Sequence, residues 1–179
     1  MNHLMLDIET LSRRPDGCII SVGFALFTDT DVLDSNGWAI YHDHWHGFLE
    51  PDTIKWWMKQ PDEVRAFSFN GTYSDMSVAL GLKTLADTNE IDEVWANDPN
   101  FDLSMLEQWW TRVGLNHWPF AYWKYRSFRT ITALTKEVTG QDFKAASKNT
   151  FAAHNPVEDA VNQARVVIAC RHALKREYV

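Results

Sequence analysis

Four carboxylates and one histidine are the side chains of this sequence best suited to chemistry. They come from three distant segments, and they are Asp7, Glu9, Asp102, His154 and Asp159. Four negative charges are costly to gather in one place unless cations lie between them. Two divalent metal ions would stabilise such a cluster, and this combination hydrolyses phosphodiester bonds by the two-metal mechanism.

The first two carboxylates lie in a short apolar segment, Leu4–Thr10, which predicts a strand. Because side chains alternate along a strand, Asp7 and Glu9 point to one face, while the intervening isoleucine points to the other. A solvated edge strand would also accommodate two acids. The strongly apolar surroundings favour a central strand instead, and with it metal ligation.

The segment His154–Asp159 marks the start of a helix. Asn155 is a good N-cap, and Pro156 suits the first helical position. The helix then contains Asp159 about one turn in, and His154 lies on the preceding loop. A mobile histidine beside a metal-binding aspartate is suited to act as the general base that activates water. A lone histidine is otherwise more often a surface or core residue.

Asp102 follows Phe101 in the first turn of another predicted helix. Its ordinary role there would be to complement the positive end of the helix dipole. Asp98 is a rival for the metal site. We favour Asp102, because Phe101 can then anchor in the core while the neighbouring carboxylate faces a cleft.

The ligands indicate two Mg²⁺ or Mn²⁺ ions, because these ions prefer carboxylates, water and phosphate. Zinc would be expected to recruit more histidine or cysteine. His42, His44 and His46 alternate in one short stretch. They could bind a transition metal, but without further ligand spacing a solvated strand end or loop is favoured.

The elements that must position these residues begin with strands and then alternate in type. Predicted strands cover 4–9, 18–28, 36–41, 94–97 and 122–125. Predicted helices cover 52–60, 74–88, a segment from Asp98 or Asn100 to Gly114, 127–138 and 156–176. Residues 1–179 show no linker or repeat, so a single domain is expected. This order favours an α/β fold: a mixed β-sheet, three antiparallel strands then parallel strands, flanked by α-helices.

Composition sets further limits on function. The net charge of -7 argues against broad, non-specific binding to duplexes, but not against an enzyme that grips a few nucleotides in a metal-loaded cleft. No apolar run reaches the length of about 20 residues that spans a bilayer. The start of the chain lacks the pattern of a signal peptide, and two cysteines are too few for a disulfide framework. These features favour a cytoplasmic protein with no membrane association.

Three motifs carry a resemblance to a known family: Asp7-Ile-Glu9-Thr10, Phe101-Asp102 and His154-Asn-Pro-Val-Glu-Asp159. In this order they resemble the DEDDh branch of the DnaQ-like 3′–5′ exonuclease superfamily. Two more segments, Thr53–Gln60 and Arg126–Thr130, are similar to the subgroup of mycobacterial exoribonuclease-like domains and phage 3′–5′ exonucleases. The resemblance covers nearly the whole chain and implies a ribonuclease H-like fold.

The resemblance implies a metal-dependent 3′–5′ exonuclease. Its substrate would be single-stranded nucleic acid, RNA or DNA, with a free 3′ end, and its products nucleoside 5′-monophosphates. Asp7, Glu9 and Asp159 would hold one metal ion, and Asp7 with Asp102 would help to hold the second. His154 would deprotonate the attacking water.

Substrate contacts are predicted for seven residues, namely Thr10, Leu11, Trp56, Trp57, Gln60, Phe101 and Arg129. The resemblance implies that Thr10 and Leu11 meet the terminal nucleotide. Trp56 or Trp57 would stack on a base, or both would pack their helix against the core. Arg129 would contact phosphate or pair with a surface carboxylate.

Two other interpretations stay open. A catalytically silent nucleic-acid-binding or scaffold protein of the same fold would be expected to have a broken carboxylate set, whereas all four acids are present. A related two-metal endonuclease is the other. No residue announces a contact to the 2′-hydroxyl that separates RNA from DNA. The nine tryptophans and the family resemblance are compatible with a homodimer.

Overall fold

The structure, a computed structural model, describes residues 1–147 and 154–177. Its strands are β1 His3–Thr10, β2 Ile19–Phe27, β3 Val32–Ala39, β4 Glu93–Ala96 and β5 Tyr125–Ser127. Its helices are α1 Pro51–Met58, α2 Asp62–Phe69, α3 Asp75–Thr88, α4 Asp102–Arg112, α5 Phe128–Thr139, α6 Phe143–Ser147 and α7 Pro156–Glu177. The strands form one mixed sheet in the order β3-β2-β1-β4-β5. The predicted α/β fold, three antiparallel strands followed by parallel ones, is confirmed.

Strand β1 is central, as its apolar sequence predicts. It runs antiparallel to β2 and parallel to β4. Leu4 and Leu6 belong to the core cluster that includes α3 and α4, whereas Met5 belongs to the cluster that includes α5 and α7. Since Asp7 and Glu9 continue the alternation of Met5, both carboxylates lie on the face of the sheet that α7 covers.

Two glycines allow α7 to begin close to the sheet beside Asp7. Gly23 lies opposite Asp7 on β1 and opposite Gly37 on β3. A Cβ at Gly23 would lie 2.2 Å from the carbonyl group of Pro156, and one at Gly37 would lie 2.5 Å from Cγ2 of Val157. The first turn of α7 therefore rests on bare strand backbone, where no larger side chain fits.

The third strand lies earlier than the predicted range 36–41. It covers Val32–Ala39, because the chain already reverses after β2, where the Thr28 hydroxyl accepts the backbone N–H of Asp31 at 3.1 Å. The stretch Asp34–Gly37, which has the composition of a turn, is part of an edge strand. Polar side chains are tolerated there because they face solvent.

The strand predicted over 122–125 is also wrong in its position. Tyr122 and Trp123 are 76% and 67% exposed and lie in a short 3₁₀ turn, so they do not join the sheet. Pairing with β4 begins only at Tyr125, which lies opposite Val94. Aromatic residues favour strands through packing on a half-buried surface, and this turn offers none.

The helices differ from prediction mainly at their ends and in number. Helix α4 begins at Asp102, after a turn in which the N–H of Phe101 donates to the carbonyl of Asp98. The short helices α2 and α6 are absent from the prediction. Among the described helices, none combines the length and the apolarity needed to cross a bilayer.

Candidate active site

Three carboxylates converge where β1 meets the start of α7. One oxygen each from Asp7, Glu9 and Asp159 lies within 4.8 Å of the other two. Asp7 is buried, and the side chain of Glu9 is largely buried. The predicted strand face and the predicted helix start are thereby brought together.

The start of α7 is built as its sequence predicts. The side-chain oxygen of Asn155 accepts the N–H of Val157 at 3.1 Å and caps the helix. Asp159 then accepts the backbone N–H of His154 at 2.8 Å. One turn further, Gln163 donates from its amide to Oδ1 of Asp7 at 2.8 Å. Residues four apart share a helix face, so α7 presents the Asp159 carboxylate and the amide that supports Asp7 side by side.

Asp102 is the fourth carboxylate. It is buried, it lines the same cleft, and its charge raises the pKa of Asp7, but it is not among the three residues whose oxygens lie within 4.8 Å of one another. Its Oδ2 accepts the backbone N–H of Asp98 at 3.0 Å. Asp98 also lines the cleft, but its side chain is more exposed and its Oδ2 pairs with Arg129 at 3.3 Å. The burial of Asp102 and its effect on Asp7 favour Asp102 over Asp98 as the fourth carboxylate of the site.

Burial and mutual repulsion raise the pKa values of the clustered carboxyl groups. Burial, followed by repulsion from Asp102 and Asp159, raises the pKa of Asp7 well above its ordinary value. Burial and the neighbouring Asp7 do the same to the pKa of Glu9. Burial raises the pKa of Asp102 to about 7 and also raises the pKa of Asp159. Carboxylates in such surroundings bind protons or metal ions far more readily than isolated acids do.

His154 lies at the edge of the cluster. Its Nδ1 is 3.8 Å from Oε1 of Glu9, and its side chain is 41% exposed. Its backbone has a φ of 69°, a left-handed conformation that non-glycine residues seldom adopt. The ring of Trp56 meets the imidazole edge to face, with centroids 4.7 Å apart. The imidazole is therefore supported on one side and open to the cleft on the other.

The carboxylates and His154 line a cleft of about 610 Å³, which adjoins a second cavity of about 550 Å³. The shared lining residues are Ile8, Glu9, Arg13, Phe101 and His154. Two more basic residues, Arg129 and Lys144, line the larger cavity. A cleft with acids in its interior and cations along its lining can hold metal ions and a phosphate chain together.

A match to a family model identifies the relatives of this chain. Residues 2–171 match the Rv2179c-like 3′–5′ exoribonuclease domain. The chain belongs to this family. The predicted relationship to the DEDDh exonucleases is confirmed, and the predicted class, a 3′–5′ exonuclease, is that of the family. A search of curated proteins gave no match.

Several solved exonuclease structures have the same fold as this chain. Cell-death related nuclease 4 superposes with a TM-score of 0.68 at 13% identity, over 96% of this chain and 64% of that one. The zinc-bound complex of E. coli exonuclease I with single-stranded DNA gives a TM-score of 0.67 at 12% identity, over 98% of this chain and 40% of that one. The chain thus spans less than half the length of the exonuclease I structures. The ribonuclease H-like fold is confirmed.

The residues predicted to contact substrate are divided between cleft and core. Arg129 lines the larger cavity, Thr10 and Trp56 line the smaller one, and Phe101 lines both. Trp57 also reaches the smaller cavity, but it is buried, and its indole N–H donates to the carbonyl of Thr10 at 2.8 Å. Leu11 is buried in the cluster around Trp57, and the amide of Gln60 donates to the carbonyl of Trp56. Leu11 and Gln60 line neither cavity.

Several residues that line the site were not predicted from the sequence. Gln163 was detectable, because it follows Asp159 by one helical turn. Arg13 and Lys144 line the cleft without belonging to any motif. Arg126 pairs with Glu93 at 2.9 Å and lines neither cavity.

Proposed function

We propose that this chain is a divalent-metal-dependent 3′–5′ exonuclease that hydrolyses single-stranded nucleic acid, RNA or DNA, to nucleoside 5′-monophosphates. The observation that carries the proposal is the cluster of Asp7, Glu9 and Asp159 with His154 at its edge. Membership of a 3′–5′ exoribonuclease domain family supports the direction of degradation.

The carboxylates fit a pair of Mg²⁺ or Mn²⁺ ions. Asp7, Glu9 and Asp159 would hold one ion, and Asp7 with Asp102 would help to hold the other. All donors are oxygens, which these hard ions prefer. Burial of so many acids at one point is costly without cations, as the raised pKa values of Asp7 and Glu9 indicate. When bound, the ions supply Lewis acidity at the phosphodiester and lower the pKa of the attacking water.

His154 would act as the general base. It is close enough to Glu9 to take a proton from a water among the carboxylates. The exposed side of the imidazole contacts solvent, to which it can then release that proton. The hydrogen bond from its backbone to Asp159 ties the base to a metal ligand. The mobility predicted for the side chain stays a prediction.

The substrate strand would lie along the two adjoining cavities. Arg13, Arg129 and Lys144 would meet its phosphates, and the partly exposed face of Trp56 would stack on a base. The single-stranded DNA bound to E. coli exonuclease I supports this class of partner. The homodimer and the cytoplasmic location also stay predictions.

The test is a degradation assay with 5′-labelled single-stranded and duplex RNA and DNA of one sequence, in Mg²⁺ or Mn²⁺. We expect a ladder that shortens by single nucleotides from the 3′ end, and no cleavage of a circular single strand. EDTA and Asp7→Ala should abolish this stepwise shortening, whereas Asp34→Ala, on the exposed edge strand, should not. Binding without cleavage in every metal tested would instead identify the catalytically silent protein.

A further inference from the structure

We propose that His44, His46 and Asp75 form a second metal site, which takes one divalent transition ion, Zn²⁺ above all. One ligand atom from each residue lies within 4.8 Å of the other two. None of the three lines either cavity of the cleft. The site is therefore separate from the carboxylates that are proposed to act in hydrolysis.

Two distances within this cluster, each to a different oxygen of Asp75, are close to those between ligands of one ion. Nδ1 of His44 lies 3.5 Å from one carboxylate oxygen of Asp75, and Nε2 of His46 lies 3.6 Å from the other. Both separations exceed the 2.7–3.2 Å of a good hydrogen bond. Two donors placed 2.0–2.2 Å from a tetrahedral zinc ion are about 3.3–3.5 Å apart. The two N···O separations are thus closer to the spacing of zinc ligands than to that of hydrogen-bonded partners.

The chain between the two histidines is held so that both stay on the outer side. Trp45 turns inward: its indole N–H donates to the carbonyl of Ile40 at 2.8 Å, and its ring packs on Phe69 with centroids 5.6 Å apart. Gly47 follows with a φ of +136°, and a Cβ there would lie 2.6 Å from the carbonyl oxygen of Gly17. The histidine segment is therefore fixed at Trp45, between the two histidines, and at Gly47, directly after the second.

Asp75 is equally well positioned at the first residue of α3. Ser74 caps the helix by accepting the N–H of Ser77 at 3.1 Å, and Oδ1 of Asp75 accepts the N–H of Met76 at 2.7 Å. The N–H of Tyr41 donates to the carbonyl of Tyr73 at 2.8 Å, which joins the histidine segment to the residues before α3. An ion would add a further link between the same two segments.

The donor set selects the class of ion. Two imidazoles and one carboxylate suit zinc, copper or nickel, whereas Mg²⁺ prefers oxygen ligands alone. Three protein ligands leave the fourth tetrahedral position to water, which is typical of an exchangeable site and not of a closed structural one. The side chains of His44 and His46 are 43% and 58% exposed, so the ion can enter from solvent.

The test is a Zn²⁺ titration of the metal-stripped protein, with free Zn²⁺ followed by an indicator dye. Excess Mg²⁺ is added to compete for the carboxylate cluster. Removal of an outer-shell partner typically weakens metal binding about 10–100-fold, so His44→Ala, His46→Ala and Asp75→Asn should each weaken this site at least 100-fold. His42→Ala is the matched control, because His42 lies in the same segment but pairs with Asp43.

A second measurement needs no variant at the site. With one equivalent of Zn²⁺ in excess Mg²⁺, the imidazole NMR signals of His44 and His46 should shift, while those of His42 should stay in place. Equal zinc affinity in the wild type and in both histidine variants would overturn the proposal. Unchanged signals of His44 and His46 at saturating Zn²⁺ would do the same. Neither result bears on nuclease activity, which is measured separately.

Discussion

Replacement of Gly23 by alanine should disable the site from the neighbouring strand, on the face of the sheet that α7 covers. The new Cβ would lie 2.2 Å from the carbonyl carbon and oxygen of Pro156 and 2.5 Å from the nitrogen of Val157, whereas ordinary contact begins near 3.4 Å. These are backbone atoms, so no side-chain rotation relieves the overlap. The start of α7, with His154 and Asp159, must move by about 1 Å.

The size of the effect follows from this displacement. Overpacking of this kind costs about 1–3 kcal/mol of stability. A displacement of about 1 Å at catalytic groups costs on the order of 100-fold in rate. We therefore expect Gly23→Ala to lower kcat about 100-fold and to weaken binding of Mn²⁺, because Asp159 leaves its place beside Asp7.

Thermal unfolding, Mn²⁺ calorimetry and the exonuclease assay together separate the two effects. Gly140→Ala is the matched control: Gly140 ends α5 with a φ of 72°, and no atom lies within 4 Å of the Cβ position. A side chain in that conformation costs about 1–2 kcal/mol but disturbs no site residue. Gly23→Ala with the wild-type kcat and Mn²⁺ affinity would refute the argument that the glycine pair positions α7.

Three further predictions concern the site itself. His154→Ala should lower kcat about 10²–10⁴-fold and leave calorimetric Mn²⁺ affinity unchanged, since the role proposed for the histidine is that of a base and not of a ligand; a parallel loss of Mn²⁺ binding would contradict that role. Gln163→Leu removes the hydrogen bond to Asp7 and should weaken Mn²⁺ binding about 10–100-fold in the same measurement, with the fold retained by circular dichroism. The metal-free protein should lose stability as the pH rises, because Asp102 holds its proton more tightly in the native state than in the unfolded state. In the unfolded chain the pKa of an aspartate is near 3.9. The contribution of Asp102 is full below about pH 4 and is lost as the pH rises to about 7, a change on the order of 4 kcal/mol. Melting curves across this range should show it, and saturating Mg²⁺ should remove it.

The parts of the site that follow from local periodicity were predictable from sequence. The shared face of Asp7 and Glu9 needs only the alternation of a strand. The start of α7 needs only the capping preferences of asparagine and proline, and Asn155 caps it in the structure. The roles proposed for Asp159 and His154 depend on the same local geometry.

Features that depend on what faces a residue were not predictable. Nothing in the sequence around Gly23 shows that a helix from the far end of the chain lies against it. The adjacent Trp56 and Trp57 differ in the same way: both reach the smaller cavity, but the first is exposed, whereas the second is buried against Thr10. Propensity cannot separate two neighbouring tryptophans, because tertiary packing decides which of them is covered.

The hydrogen bond between Gln163 and Asp7 joins residues 156 positions apart. Contacts of such long range form late in folding, because the entropy of closing the intervening chain must first be overcome. Strands β1, β2 and β3 can pair through short connections, but the carboxylate cluster lacks Asp159 until α7 docks. A partly folded chain therefore has no complete cluster. Metal ions that bind the complete cluster bind the folded state selectively, and so they favour the last step of folding over any intermediate.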